Sequence, residues 1–323
     1  MLILDNGAYY GGISGGCLEG DALRKAQKAI HLNKPSTVIY DTTQDDEHQI
    51  GVGLGCNGII EVLFTPLDPN DQANPIFILS KILETREPRV VVTILESDEH
   101  LQGKMFLFEN DAHFLSSFPV KEIAFELLTD LKLSLAGNRS QITCYGPYRL
   151  FIEIIPPVLH LMIFGSNYDV YPLLRISGEL GWTTTVITRL SRATKLLTET
   201  ASRVLNHDKD ATPLIDPYTA ILLMSHDYLT DLNNLQTILK TSVRYIGILG
   251  PKKRTIKIFD ALRQNGVEIN EQVKEKIFSP AGLEIGASSP EEIALSIAAE
   301  IQGCFSGTEG KSLRLKEGRI HDN

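Results

Sequence analysis

The pattern of hydrophobic and polar positions differs between the two halves of the chain. Residues 1–67 alternate short strand-like runs with glycine-rich turns, and the apolar residues within 19–32 recur at helical spacing. Residues 148–155 alternate as a strand does, and Pro156-Pro157 then interrupts the pattern. Because a proline pair fixes two φ angles and removes two N–H donors, we predict a domain boundary here.

Continuous apolar runs replace the alternating ones after the proline pair. Residues 159–164 form the first run, which is typical of a strand buried on both faces. Further strands are predicted at 183–187, 220–224 and 245–249, separated by helices at 170–180 and 232–239, with later helices ending at 262 and spanning 290–302. Regular alternation of strands and helices indicates a parallel, doubly wound sheet.

The predicted fold class is therefore α/β, in two parts. A mixed α+β N-terminal domain covers residues 1–156, and a Rossmann-like, doubly wound parallel-sheet domain covers residues 157–305. Residues 306–323 form a polar, glycine-bearing tail. The start of the chain is strand-like and has no earlier segment to pair with, which suggests that further sequence precedes Met1.

Composition narrows the class of protein. Hydrophobic residues make up 43% of the chain, which is enough to form a core, and the net charge of -9 argues against a nucleic-acid surface. No apolar run approaches the roughly 20 residues needed to span a bilayer. The cysteines are scattered, without a CxxC pair, at positions 17, 56, 144 and 304. This usage is typical of reduced thiols and predicts a cytoplasmic protein.

A glycine-rich segment, residues 11–21, leads into the first helix and surrounds Ser14 and Cys17 with five glycines. Glycines let backbone N–H groups turn inward, and a helix N-terminus adds partial positive charge, so the segment is a candidate anion site. The alternative is a tight turn around a buried thiol. Residues 51–58 repeat the pattern around Cys56, which favours a ligand site.

The candidate cofactor-binding residues of the first half are Ser14, Gly15, Gly16, Cys17, Glu19, Gly55 and Cys56. A thiolate could hold sulfur covalently or bind a soft metal, so Cys17 and Cys56 are also candidate metal ligands. Each could instead be a small apolar filler.

The loop after the first strand of the second half departs from a dinucleotide fingerprint. Residues 165–170 follow a strand and open a helix, but Asn167 and Val170 replace two of the glycines of GxGxxG. The second strand ends at Thr188, where an acid would bind the ribose. Binding of NAD(P) is therefore disfavoured, although the fold can persist without it.

Three further candidates lie at strand ends in the second half. His226 follows the third strand and could act as a base, a metal ligand or a phosphate partner, or simply end the strand as a polar residue. Lys252 and Arg254 stand at a helix start, where cations oppose the helix dipole unless an anion binds. A solvated basic face is the alternative.

Several long motifs in order resemble the XdhC/CoxI family. They are Gly-Gly-Ile-Ser-Gly-Gly-Cys-Leu-Glu-Gly-Asp at 11–21, Gly-Leu-Gly-Cys-Asn-Gly at 53–58, Ser-His-Asp at 225–227, Tyr-Ile-Gly-Ile-Leu-Gly at 245–250, Gly-Leu-Glu-Ile-Gly-Ala at 282–287 and Pro-Glu-Glu-Ile-Ala at 290–294. The family usually carries Gly at position 167 and Asp at position 188. It also has an arginine-bearing segment before the point where Met1 stands.

The resemblance implies an accessory protein rather than an enzyme. Such a protein binds the molybdenum cofactor, assists its sulfuration and inserts it into an apo-hydroxylase of the xanthine dehydrogenase type, with a cysteine desulfurase as a further partner. A homodimer is expected, and no nucleic-acid or membrane partner. The alternatives are a nucleotide-dependent oxidoreductase that uses the C-terminal domain, and a non-catalytic scaffold.

Overall fold

A computed structural model describes residues 1–41, 58–71, 73–97 and 101–317. The chain divides into two units, Met1–Pro156 and Pro157–Asn323. Two of the predicted site residues, Gly55 and Cys56, lie outside the described residues.

The first unit begins with two hairpins and a helix. The elements are β1 (Leu2–Ile3), β2 (Tyr9–Tyr10), α1 (Glu19–Leu32), β3 (Ser36–Asp41) and β4 (Ile59–Phe64). β1 pairs with β2 and β3 with β4, both antiparallel. The helix covers the predicted residues 19–32 because its alanines, at i, i+4 and i+7, form one apolar face. That face packs Ala22, Ala26 and Ala29 against Phe64.

A four-stranded antiparallel sheet forms the rest of this unit, in the order β6-β5-β8-β7. Its strands are β5 (Arg89–Glu96), β6 (Met105–Phe108), β7 (Gln141–Tyr145) and β8 (Tyr148–Ile155), and the helices are α2 (Pro75–Leu83), α3 (Asp111–Ser117) and α4 (Lys121–Gly137). α3 and α4 pack on one face and α2 on the other. The central strand β5 therefore buries consecutive valines, Val90 to Val92.

The second unit contains a six-stranded parallel sheet in the order β11-β10-β9-β12-β13-β14. Its strands are β9 (His160–Phe164), β10 (Thr183–Thr188), β11 (Arg203–Asn206), β12 (Thr219–Leu223), β13 (Tyr245–Ile248) and β14 (Ile277–Phe278). Its helices are α5 (Val170–Glu179), α6 (Lys195–Thr200), α7 (Tyr228–Ile238), α8 (Lys252–Gln264), α9 (Glu271–Glu275) and α10 (Pro290–Ser306). The α/β prediction with a Rossmann-like second part is confirmed.

Helices cover both faces of this parallel sheet. α5, α6 and α10 contribute to one buried cluster, and α7 and α8 contribute to the other. The order of the strands reverses between β9 and β12, so the crevice in which folds of this kind bind ligands lies at the carboxyl ends of those two strands. Among the helices in the described ranges, none is long and apolar enough to cross a membrane.

Gly165 allows the close approach of the chain at that crevice. It follows β9 with a φ of 148°, and a Cβ built on it would lie 2.3 Å from the carbonyl oxygen of Met224. Both the backbone conformation and the contact exclude a larger residue.

We expect Gly165→Ala to lower the free energy of unfolding by about 2–5 kcal/mol, from backbone strain and overpacking. Gly178→Ala is the matched control, because that glycine lies in α5 with nothing within 4 Å of an added Cβ. The control is expected to be neutral or to stabilise by about 0.5–1 kcal/mol. Urea unfolding measures both, and equal stability of the two variants would contradict the packing described.

Candidate functional site

The carboxylate of Glu19 closes the glycine-rich loop of the first unit. Its Oε1 accepts hydrogen bonds from the N–H groups of Ile13 at 3.2 Å and Ser14 at 2.8 Å. Its Oε2 accepts from the Ser14 hydroxyl at 2.7 Å and the Leu18 N–H at 3.2 Å. The Ser14 hydroxyl and amide, which favour the ionised form, lower the pKa of Glu19 to about 2.

The Ser14 hydroxyl also fixes the residues just before the helix. Its Oγ accepts from the N–H groups of Cys17 at 3.1 Å and Leu18 at 3.0 Å. Leu18 is buried, whereas Cys17 is exposed. The loop therefore anchors itself through Leu18 and presents the neighbouring cysteine to solvent.

Gly15 and Gly16 form the open part of the loop. Both are exposed, and an added Cβ on either would meet nothing within 4 Å. Gly16 has a φ of 110°, which a side chain rarely tolerates. The two amide N–H groups have no hydrogen-bond partner among the residues that the structure describes. Two backbone donors therefore stand beside an exposed thiol.

The end of β3 is held against the start of α1. The Tyr40 hydroxyl donates to Oδ2 of buried Asp21 at 2.9 Å, and burial followed by this carboxylate raises the pKa of Tyr40 to about 12. This contact ties the end of β3 to the first turn of α1.

No group of three or more His, Cys, Asp or Glu side chains is arranged to hold a metal ion within the described part of the chain. Assignment of Cys17 as a metal ligand stays a prediction, and Cys56 falls outside the described ranges.

In the second unit, a hydrogen bond bridges the crevice of the sheet. His226 follows β12 in a left-handed conformation with a φ of 58°, and its Nε2 lies 2.8 Å from Oδ2 of Asp169. Asp169 is the residue immediately before α5. A pyrophosphate bound at this helix N-terminus in the usual dinucleotide mode would meet that carboxylate.

The position that binds the ribose in dinucleotide-binding domains also differs in this chain. The Thr188 hydroxyl donates to the Ser166 hydroxyl at 2.8 Å, which ties the end of β10 to the loop after β9. Where a dinucleotide-binding domain would place an acid, this chain places a hydroxyl already engaged with its own loop.

A buried ion pair lies at the next strand end. The Arg254 Nη2 donates to Oδ2 of buried Asp231 at 2.5 Å, and the Ser225 hydroxyl donates to Oδ1 at 2.5 Å. Burial raises the pKa of Asp231, while Ser225 and Arg254 act in the opposite direction. Arg254 is therefore not a freely solvated cation, whereas the neighbouring Lys252 and Lys253 are exposed.

Of the three strand-end candidates, the structure brings two together. His226 and Arg254 line one open groove, whereas exposed Lys252 does not. Asp169 and Asp231, which hold these two side chains, were missed from the sequence. The sequence did offer one signal for Asp231, which lies beside the apolar positions Leu232 and Leu235 of a predicted helix. A carboxylate at such a position is buried and therefore needs a partner.

Two family models match the chain and cover the residues described above. The model for the XdhC and CoxI family matches residues 1–41, which contain the Cys17 loop. The model for the XdhC Rossmann domain matches residues 161–301, which contain the bridged crevice and the groove.

Relatives agree with this match along nearly the whole chain. A protein named as a probable xanthine dehydrogenase subunit, from Bacillus subtilis (strain 168), is 27% identical over 318 residues, covering 93% of this chain and 86% of that protein. A crystal structure described as a xanthine dehydrogenase from Bacillus halodurans is 28% identical, with a TM-score of 0.73, covering 96% of this chain and 87% of that one. The resemblance seen in the sequence motifs is thereby confirmed: the chain carries an XdhC Rossmann domain and an N-terminal segment that matches the XdhC and CoxI family.

Proposed function

We propose that this chain is an accessory protein for a molybdenum hydroxylase of the xanthine dehydrogenase type. In this role it binds the molybdenum cofactor as cargo, assists its sulfuration and delivers it to the apo-enzyme. The observation that carries the proposal is the exposed Cys17 on a loop fixed by Glu19, next to the amides of Gly15 and Gly16, which have no partner in the part of the chain that the structure describes. The names of the two relatives support the link to xanthine dehydrogenase.

The chemistry of the loop suits this cargo. The cofactor's pterin carries a phosphate and two dithiolene sulfurs around molybdenum, and the space beside Gly15 and Gly16 is open. Backbone N–H groups before a helix favour an anion, while a cysteine sulfur can contact a soft metal or carry sulfur. Ser14 and Glu19 hold the loop in place, and Cys17 is the residue that would meet the cargo.

The alternative of a nucleotide-dependent oxidoreductase has less support. The Asp169 carboxylate at the start of α5 opposes the pyrophosphate of a dinucleotide. The net charge of -9 suits docking onto a protein partner. A hydroxylase apo-enzyme, a cysteine desulfurase and a second copy of this chain are the partners we propose, in the cytoplasm.

We expect Cys17→Ser to weaken binding of molybdopterin-bound molybdenum at least tenfold, because the thiol is the one soft ligand on the described loop. The full chain is titrated with released cofactor at micromolar concentration, and bound pterin is read by fluorescence after separation. Cys144→Ser, an exposed cysteine of the same unit, is the matched control and should bind as the parent does. If the parent protein, Cys17→Ser and Cys144→Ser bind the cofactor equally, Cys17 is not part of the binding site.

We expect Ser14→Ala to raise the pKa of Glu19 from about 2 toward 4.5, since Ser14 supplies the largest stabilisation of the carboxylate. Because the folded pKa is depressed, the ionised group stabilises the loop above pH 4.5, and this is lost as the pH falls toward 2. Carbon-detected NMR titration of the glutamate carboxyls measures the shift, with Ser80→Ala in α2 as control. A Glu19 that titrates near 4.5 in the parent protein would contradict the loop geometry.

A further inference from the structure

An open groove of about 710 Å³ lies beside the carboxyl edge of the parallel sheet in the second unit. Its lining includes the cations Lys253, Arg254 and Lys257, whereas Asp260 is the one carboxylate that lines it among the described residues. His226 also lines it. A volume of this size suits a small molecule. Because Arg254 is paired with Asp231, the excess positive charge of the lining comes from Lys253 and Lys257 against Asp260, and it favours a ligand that is an anion.

The start of α8 adds backbone donors to the groove. Pro251 precedes the helix and makes no side-chain cap, and its first turn contains no acid. The starts of α7 and α10 are different, because Asp227 accepts from the Thr230 N–H and Glu292 closes a capping box. At the start of α8 the Arg254 N–H donates to the Pro251 carbonyl at 2.8 Å, whereas the N–H groups of Lys252 and Lys253 have no partner among the described residues. These two N–H groups and the cations favour the same kind of ligand.

Arg254 is positioned rather than mobile. Its Nη2 is held by buried Asp231, and its Nε is buried without a hydrogen-bond partner in the described part of the chain. The guanidinium therefore retains donor capacity at a fixed place. His226 is fixed as well, by Asp169, in a left-handed backbone conformation that few residues adopt.

We propose that this groove binds the phosphate group of a small phosphorylated molecule. Arg254 and the start of α8 fix the position of the phosphate, and exposed Lys253 and Lys257 close over it from solvent. A nucleoside monophosphate and the phosphate of the pterin cargo share this chemistry. The proposal is argued from residues of the second unit and does not depend on the Cys17 loop.

The test uses calorimetric titration of the full chain with inorganic phosphate, AMP and adenosine, with ionic strength held constant by chloride. We expect phosphate and AMP to bind, adenosine not to bind, and Lys253→Gln/Lys257→Gln to weaken binding at least tenfold. Lys195→Gln/Lys274→Gln is the matched control, since both lysines are exposed, lie in the same unit and remove the same charge. This control should bind as the parent does.

The arms also separate the two sources of the phosphate. AMP that binds at least tenfold more tightly than both inorganic phosphate and released molybdopterin indicates a nucleotide. Released molybdopterin that displaces inorganic phosphate at a concentration at least tenfold below that needed for AMP indicates the cargo. The proposal is overturned if titration with phosphate or AMP gives no more heat than titration with chloride. It is also overturned if Lys253→Gln/Lys257→Gln binds phosphate as tightly as the parent protein does. Loss of phosphate binding in Cys17→Ser would also overturn it, by moving the anion to the loop, whereas loss of cargo binding alone would leave the groove unaffected.

Discussion

The glycine-rich loop depends on one acceptor, the carboxylate of Glu19. Glycines lose more conformational freedom on folding than other residues, so such a loop needs hydrogen bonds to other residues in order to stay in one conformation. Glu19 supplies it from the first turn of α1, where the helix dipole also favours a negative charge. It binds Ser14 through both backbone and side chain, and Ser14 in turn binds the Cys17 amide. The exposed thiol is thus placed by a chain of hydrogen bonds that begins in a regular helix.

The second unit meets a related constraint in a different way. Acidic residues lie near the carboxyl edge of its parallel sheet, and a carboxylate that is removed from solvent there needs a hydrogen-bond partner. Asp169 is hydrogen-bonded to His226 and Asp231 is paired with Arg254, so each of the two acids has a partner inside the unit. The first pair bridges the crevice that dinucleotides use, and the second fixes a cation beside the groove. A Rossmann-like fold is retained while its usual ligand position is occupied by the protein's own side chains.

The sequence was a good guide where periodicity decides structure. The bounds of α1 and the four central strands of the parallel sheet followed from apolar spacing. Short elements such as β6 and α3 were not predicted, because four to seven residues carry too little periodicity.

The site was less predictable than the fold, since its contacts join distant positions. Asp169 and His226 are 57 residues apart, and Asp231 and Arg254 are 23 apart. Spacing along the chain gives no sign of either pair. Glu19 was predicted to bind cofactor, and this stays a prediction. The structure adds that its carboxylate accepts hydrogen bonds from Ile13 and Ser14 of the loop itself, which the sequence did not indicate.

The most direct test is pterin and molybdenum analysis of the full chain purified from molybdate-supplied cells. Our account predicts that pterin and molybdenum copurify with the protein in equal amounts, approaching one of each per chain. Protein that carries neither, and that takes up no released cofactor at micromolar concentration, would contradict the assignment of the Cys17 loop as a cargo site.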